Sequence, residues 1–94
     1  MSSSSAGKWT IWDLKQHNVP ANAMCSIHVQ NISRKNSCYV GVRETGSSTI
    51  PSMFSPGQVD MVMVRADENS KIEIYDAKKE EIKYILSGHF GATM

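Results

Sequence analysis

Short runs of alternating apolar and polar residues, separated by turn-forming residues, make up most of this 94-residue chain. The clearest alternation covers residues 23–32, where Cys25, Ile27 and Val29 fall on one face and more polar side chains fall on the other. Because side chains alternate between the two faces of a strand, this period of two predicts a half-buried β-strand. Residues 38–44 repeat the pattern after a polar turn, and the two runs together predict a β-hairpin.

Five further runs have the composition of strands and are bounded by Gly, Pro, Asn or Asp. Pro51 confines one of them to a sheet edge, because proline cannot donate a ladder hydrogen bond. Regular spacing of such runs predicts an all-β chain, an antiparallel β-sandwich or jelly roll of about seven to eight short strands. Residues 78–81 are the exception, since their charges also suit a helical turn. The five runs are residues 9–14, 48–54, 58–66, 71–76 and 82–90.

The first eight residues differ in composition from the rest, with four consecutive serines after the initial methionine. Such a segment cannot bury enough apolar surface to order itself. The sequence therefore predicts a flexible Ser-rich arm over residues 1–8 and a single β-sandwich domain over residues 9–94, because a chain of this length supports one core.

The alternation also predicts which side chains form the core. Ile82, Tyr84, Leu86 and Phe90 are expected on one face of the last strand. The predicted core consists of Cys25, Ile27, Val29, Val40, Val42, Ile72, Ile74, Tyr84 and Leu86.

Charge and hydropathy argue against two classes of partner. The chain has 10 Lys and Arg against 9 Asp and Glu, a formal net charge of +1, so it has no strong field to attract nucleic acid. Its longest apolar run is far shorter than the roughly 18 residues of a membrane span, and its start does not resemble a secretory signal. We therefore expect synthesis in the cytoplasm, with no nucleic-acid or membrane partner.

No spacing in the sequence is typical of a catalytic, cofactor or metal site, which predicts a protein that is not an enzyme and has no cofactor. Cys25 and Cys38 share inward parity on runs expected to be neighbours, so a disulfide is conceivable. A cytoplasmic origin favours two buried thiols instead. Asn31-Ile32-Ser33 matches the glycosylation sequon, which we interpret as chance in the absence of a secretory route.

Two features indicate contact with a partner. Trp9 and Trp12 have opposite strand parity, and one small core hides only one of them easily. Met61 and Met63 share a strand face, which suggests that a neighbouring chain covers it, although methionine also fills irregular cores. The interface candidates are Trp9, Trp12, Met24, Phe54, Met61 and Met63.

Short stretches spread over the chain after Trp9 carry a family resemblance. They are Val19-Pro20-Ala21-Asn22-Ala23, Gly41-Val42-Arg43, Gly46-Ser47-Ser48, Lys71-Ile72-Glu73-Ile74-Tyr75 and Tyr84-Ile85-Leu86-Ser87-Gly88-His89-Phe90. In these stretches the chain resembles small β-sandwich modules of tailed-bacteriophage virion proteins. The module ends in Gly-Tyr-Trp or similar, where this chain has Gly88-His89-Phe90.

The resemblance implies a virion structural protein, of the capsid-decorating or appendage type, that binds and stabilises the particle surface without catalytic residues. It implies the major capsid protein or another virion protein as partner, a symmetric homo-oligomer with a trimer as the first expectation, and location in the virion after synthesis in the host cytoplasm. The arm would then act as a tether and a tryptophan as its anchor. Two alternatives stay open, namely a carbohydrate-binding module and a protein-binding β-sandwich that adds a strand to a partner sheet.

Overall fold

A computed structural model describes residues 8–76 and 81–90, and the regular secondary structure of this part of the chain is β-strand, apart from short 3-10 turns such as Lys15–His17. Most of the predicted arm, over residues 1–7, and most of the predicted helical turn, over residues 78–80, lie outside the described residues. The strands are β1 Lys8–Asp13, β2 Met24–Asn31, β3 Cys38–Val40, β4 Val42–Glu44, β5 Ser52–Phe54, β6 Val59–Arg65, β7 Lys71–Asp76 and β8 Ile82–Phe90.

Every strand pair in the described residues is antiparallel, and the pairs form three small sheets. Two sheets have three strands, in the orders β1-β7-β4 and β6-β2-β8, and the third is the pair β3-β5. The predicted all-β, antiparallel class is therefore confirmed.

Strand β2 is the centre of its sheet and shows the predicted alternation along its whole length. Ile27 is fully buried, and it pairs with Val62 of β6 on one side and Leu86 of β8 on the other. A central strand packed on its inner face needs an apolar residue at every second position, which is the pattern that the sequence shows.

The predicted hairpin between β2 and residues 38–44 is wrong. Strand β3 pairs with β5, and β4 pairs with β7. The chain leaves β2 in a loop that wraps around the side chain of Asn31, whose Nδ2 lies 2.8 Å from the carbonyl oxygen of Asn36. The same nitrogen lies 3.1 Å from the carbonyl oxygens of Phe54 and Ser55, so the loop is held towards β5 rather than turned back along β2.

Buried side chains from all three sheets form one hydrophobic cluster. Six predicted core residues are buried, and Ile74, Tyr84 and Leu86 are half-buried against the cluster. The prediction missed Val64 of β6 and five residues in loops or in the short strand β5, where alternation gives no signal. These residues are Leu14, Val19, Ala23, Phe54, Val64 and Ala66.

A β-bulge changes the face on which the end of β8 lies. Leu86 pairs with Ile27, but Gly88 pairs with Ser26, so Ser87 is an additional residue between them. One extra residue moves the following side chains to the other face. Phe90 therefore lies opposite Met24 and is 58% exposed, and the prediction that it shares a face with Ile82 is wrong.

Candidate interaction surfaces

The outer side of the β6-β2-β8 sheet is the first candidate surface, and we call it the methionine face. Paired residues of antiparallel strands lie on the same face, so the ladder registers define its members. The face consists of Val59, Met61, Met63 and Arg65 of β6, Met24, Ser26, His28 and Gln30 of β2, Lys83, Ile85, Gly88 and Phe90 of β8, and the bulge residue Ser87, whose hydroxyl reaches Ser26.

Large apolar side chains occupy most positions of the two outer columns of the methionine face. Met61, Met63 and Val59 on β6 are each about half exposed, at 53%, 49% and 52%. Ile85 and Phe90 on β8 are 43% and 58% exposed. The predicted interface residues Met24, Met61 and Met63 therefore share one surface, and β8 contributes two residues that the sequence analysis did not single out.

The central column of the face is more polar. The Ser26 hydroxyl lies 2.9 Å from the Met61 sulfur, and the Ser87 hydroxyl lies 3.0 Å from that of Ser26. The ionisable side chains of the face are the bases Arg65, Lys83 and His28, and within the described residues it contains no Asp or Glu. Arg65 and Lys83 stand at diagonally opposite corners, because they lie on different edge strands and pair with opposite ends of β2.

The outer side of the β1-β7-β4 sheet is the second surface, which we call the tryptophan face. Its members are Trp9, Ile11 and Asp13 of β1, Lys71, Glu73 and Tyr75 of β7, and Arg43 of β4. Ile11 is 59% exposed and Trp9 is half-buried. This face therefore has both acidic and basic residues around an exposed apolar side chain.

Three neighbours hold the Trp9 ring in place. The Arg43 guanidinium carbon lies 4.1 Å from the ring centroid, at cation-π distance, and the Tyr75 ring meets Trp9 edge to face at 5.4 Å. Gly41 lies against the far edge of the indole. The ring is thus fixed before any partner binds.

An ion pair in turn positions Arg43. Its Nε donates to Oε1 of Glu73 at 2.7 Å, and the backbone N–H of Gly46 donates to the same oxygen at 3.3 Å. The hydrogen bond from Arg43 is the largest cause that lowers the pKa of Glu73, and it outweighs burial, which acts in the opposite direction.

The other two interface candidates point inward. Trp12 is half-buried against the core, and its ring meets His17 edge to face at 6.0 Å. Phe54 is only 6% exposed and belongs to the core, so it does not line a surface. Its short strand β5 has too few residues for alternation to reveal which side is inward.

Both cysteines are buried free thiols. Burial raises the pKa of Cys25 despite a backbone hydrogen bond at Ala66 that acts in the opposite direction. The Cys38 thiol lies 3.3 Å from Oε1 of Glu81. The two cysteines are not cross-strand neighbours, because β2 and β3 belong to different sheets.

The sequon residue Asn31 is also buried, with no exposed side-chain area. Its Oδ1 accepts a hydrogen bond from the backbone N–H of Ser33 at 2.9 Å, and its amide group faces three carbonyl oxygens. This amide organises the fold, a role that the sequence pattern did not reveal.

Within residues 8–76 and 81–90, no group of three or more His, Cys, Asp or Glu side chains is arranged to hold a metal ion. In the same part of the chain, no helix has the length and apolar character needed to cross a membrane. Comparisons with protein-family models, curated proteins and solved structures gave no match.

Proposed function

We propose that the chain is a structural protein of a tailed-bacteriophage particle, a capsid-decorating or appendage protein that acts by binding surfaces and not by catalysis. The observation that carries the proposal is that the outer sides of both three-stranded sheets expose apolar surface, five large side chains on the methionine face and Ile11 beside the half-buried Trp9 on the tryptophan face. Contiguous exposed apolar patches on small soluble domains mark sites of contact with other molecules.

The family resemblance supplies the biological setting. It makes the major capsid protein or another virion protein the partner, and the virion the location. The sandwich architecture of the resembled modules is part of this proposal, and small antiparallel sheets around one core are compatible with it.

The tryptophan face is the proposed attachment surface, together with residues 1–8. Trp9 follows that segment directly and its ring is already fixed by Arg43 and Tyr75, so binding costs little further side-chain ordering. Ile11 is exposed on the same face and supplies apolar area beside the ring. Rigid aromatic residues in such positions are typical centres of binding energy.

The carbohydrate-binding alternative is less favoured by the same geometry. A sugar ring stacks on an open aromatic face, but the Arg43 guanidinium lies over the Trp9 ring at 4.1 Å. Stacking on that side would require the cation to leave both the ring and Glu73.

The test is rebinding to particles assembled without the protein. We expect the purified chain to co-sediment with such particles. Ile11→Asp should lower the bound fraction at least roughly tenfold. Deletion of residues 1–7 should weaken binding with little change in melting temperature. Ile50→Asp is the matched control, because Ile50 is 78% exposed but lies in a loop outside the three strands of this face. A wild-type chain that does not bind at saturating concentration would overturn the proposal.

A further inference from the structure

We infer that the methionine face docks onto the same face of a second copy of the chain, about a twofold axis that runs parallel to β2 and above it. The inference rests on the proposed function for its biological role, but its evidence is the arrangement of side chains on this face. A twofold interface must be self-complementary, since the same patch supplies both sides. The strand registers determine which residues of the two copies would face each other.

The registers arrange the face in four rows across the sheet. The rows are Arg65-Met24-Phe90, Met63-Ser26-Gly88, Met61-His28-Ile85 and Val59-Gln30-Lys83. A twofold axis above β2 keeps each row in place and exchanges the two outer columns. Each β6 residue of one copy therefore lies opposite the β8 residue of the same row in the other copy.

This exchange matches apolar groups with apolar groups. Met61 of one copy lies opposite Ile85 of the other, and both side chains are about half exposed in the single chain. Met63 lies opposite Gly88, where no heavy atom outside the neighbouring residues of the chain lies within 4 Å of a Cβ placed on the glycine, so the glycine leaves a depression in the face. A long, adaptable methionine side chain fills such a depression well.

The charges are also compatible with a second copy. Arg65 and Lys83 lie at diagonally opposite corners of the face. The axis therefore places Arg65 of one copy opposite Phe90 of the other, and Lys83 opposite Val59. No basic residue of the outer columns lies directly opposite another basic residue. An arginine over an aromatic ring makes a favourable cation-π contact. The polar residues Ser26 and His28 of the central column meet their own counterparts near the axis.

The area of the methionine face determines how tightly two copies are expected to bind. Three strands about 4.8 Å apart and about seven residues long, at about 3.4 Å per residue, cover a footprint of about 340 Å². Stable complexes typically bury about 800 Å² per partner. We therefore expect a reversible dimer that forms at micromolar concentration and is reinforced where copies are already held close together, as on a particle.

A dimer of this kind differs from the trimer that the family resemblance led us to expect. A trimer needs two different complementary patches on each copy, whereas the methionine face complements itself. The inference therefore commits to two copies per unit.

Sedimentation velocity of the full chain over a range of concentrations tests the inference. We expect a monomer-dimer equilibrium, and Met61→Lys should raise the dissociation constant at least roughly tenfold by placing a charge against Ile85. Met53→Lys is the matched control, because Met53 is 50% exposed but lies on β5, outside the face. A chain that stays monomeric into the high micromolar range, or that forms trimers, would overturn the inference.

Two further variants test the geometry rather than the apolar character of the face. Gly88→Leu fills the depression, and because the space above it is open the single chain should fold normally while the dimer weakens. If Gly88→Leu dimerises as well as the parent, the proposed axis is wrong. In the His28→Cys variant, a short bismaleimide should crosslink the cysteines at position 28 of two copies, whereas in Met53→Cys it should give no crosslinked dimer. Crosslinking through position 53 and not through position 28 would also exclude this axis.

These measurements use the purified chain alone, so they are independent of particle binding. Dimers without particle binding would leave the inference standing and remove the proposed function. Particle binding by a chain that stays monomeric would support the proposed function and overturn the inference.

Discussion

The indole of Trp9 lies so close to Gly41 that a Cβ on this residue would stand 2.6 Å from Cη2 of the ring. Real Cβ atoms do not approach other heavy atoms at that distance, so any larger residue at position 41 must displace the ring. Position 41 therefore needs a glycine, because only a residue without a side chain leaves room for the Trp9 ring next to the backbone. Arg43 and Tyr75 contact the same ring from other sides.

Gly41→Ala should destabilise the fold by about 1–3 kcal/mol, the usual cost of forcing extra atoms into a packed site. Trp9 fluorescence should shift towards that of an exposed indole as the ring leaves its position. Chemical denaturation at low micromolar concentration measures the free energy of unfolding. Gly88→Ala is the control, since no atom outside the neighbouring residues of the chain lies within 4 Å of the added methyl group there. Equal stability of the two variants would contradict the close contact.

The side chain of Asn31 is predicted to be essential as an amide. Asn31→Asp keeps its size but presents oxygens to the carbonyl groups of Asn36, Phe54 and Ser55, which need a donor. Because a buried charge without its hydrogen bonds is costly, we expect a loss of about 3 kcal/mol or more in the free energy of unfolding. Asn18→Asp, at an exposed position, should change the stability by less than about 0.5 kcal/mol. Similar losses in the two variants would show that the buried amide is not special.

The ion pair between Arg43 and Glu73 predicts a pH dependence of stability. The hydrogen bond from Arg43 holds the pKa of Glu73 below its ordinary value of 4.5 in the folded chain. The unfolded chain therefore takes up this proton at a higher pH than the folded chain does. The stabilisation is complete above about pH 4.5 and is lost as the pH falls through the lower folded pKa.

Glu73→Gln should remove up to about 1 kcal/mol at neutral pH and make the loss of stability below pH 4.5 less steep. Part of the acid sensitivity should remain, because the pKa of Asp67 is also lowered. Burial is the largest single influence on the pKa of Asp67 and raises it, but the backbone hydrogen bonds from Lys71 and Asn69, the side chain of Thr45 and the charge of Lys71 together outweigh burial. Denaturation series at several pH values, with exposed Glu44→Gln as the control, measure both slopes. Identical slopes for Glu73→Gln and the parent would exclude the proposed linkage.

The two thiols should be inert in the folded chain. Cys25 has no exposed area and Cys38 is 5% exposed, so a thiol reagent should react with neither until the chain unfolds, and with both in denaturant. The melting temperature should be the same with and without reductant. A melting temperature that falls on reduction would reveal a disulfide and contradict the structure.

The alternation of the sequence predicts strands better than it predicts their partners. In β2 and β7 the inward residues, such as Ile27 and Ile72, follow directly from the period of two, because each strand is covered on one face by the core. The alternation does not predict which strands pair with each other. The polar segment after β2 suits a hairpin turn, but hydrogen bonds of Asn31 to residues more than 20 positions away direct it towards β5.

The candidate surfaces were predictable to a similar extent. Met61 and Met63 follow from parity within one strand. Phe90 does not, because a single bulge at Ser87 reverses its side. Gly88 is the one local sign of a bulge, and it does not show which residue is the extra one. Likewise, the fixation of Trp9 depends on Arg43, Gly41 and Tyr75, which only the β1-β7-β4 sheet order brings together.

The strand order also determines how the chain can fold as it is synthesised. Strand β1 pairs with β7, and β2 pairs with both β6 and β8, so the early strands have no sheet partners until the late strands have left the ribosome. Such long-range pairing makes folding slow and leaves strand edges unpaired for longer. During that interval β2 lacks the neighbours on both of its edges, so its alternating run is open to wrong pairing until β6 and β8 have been made.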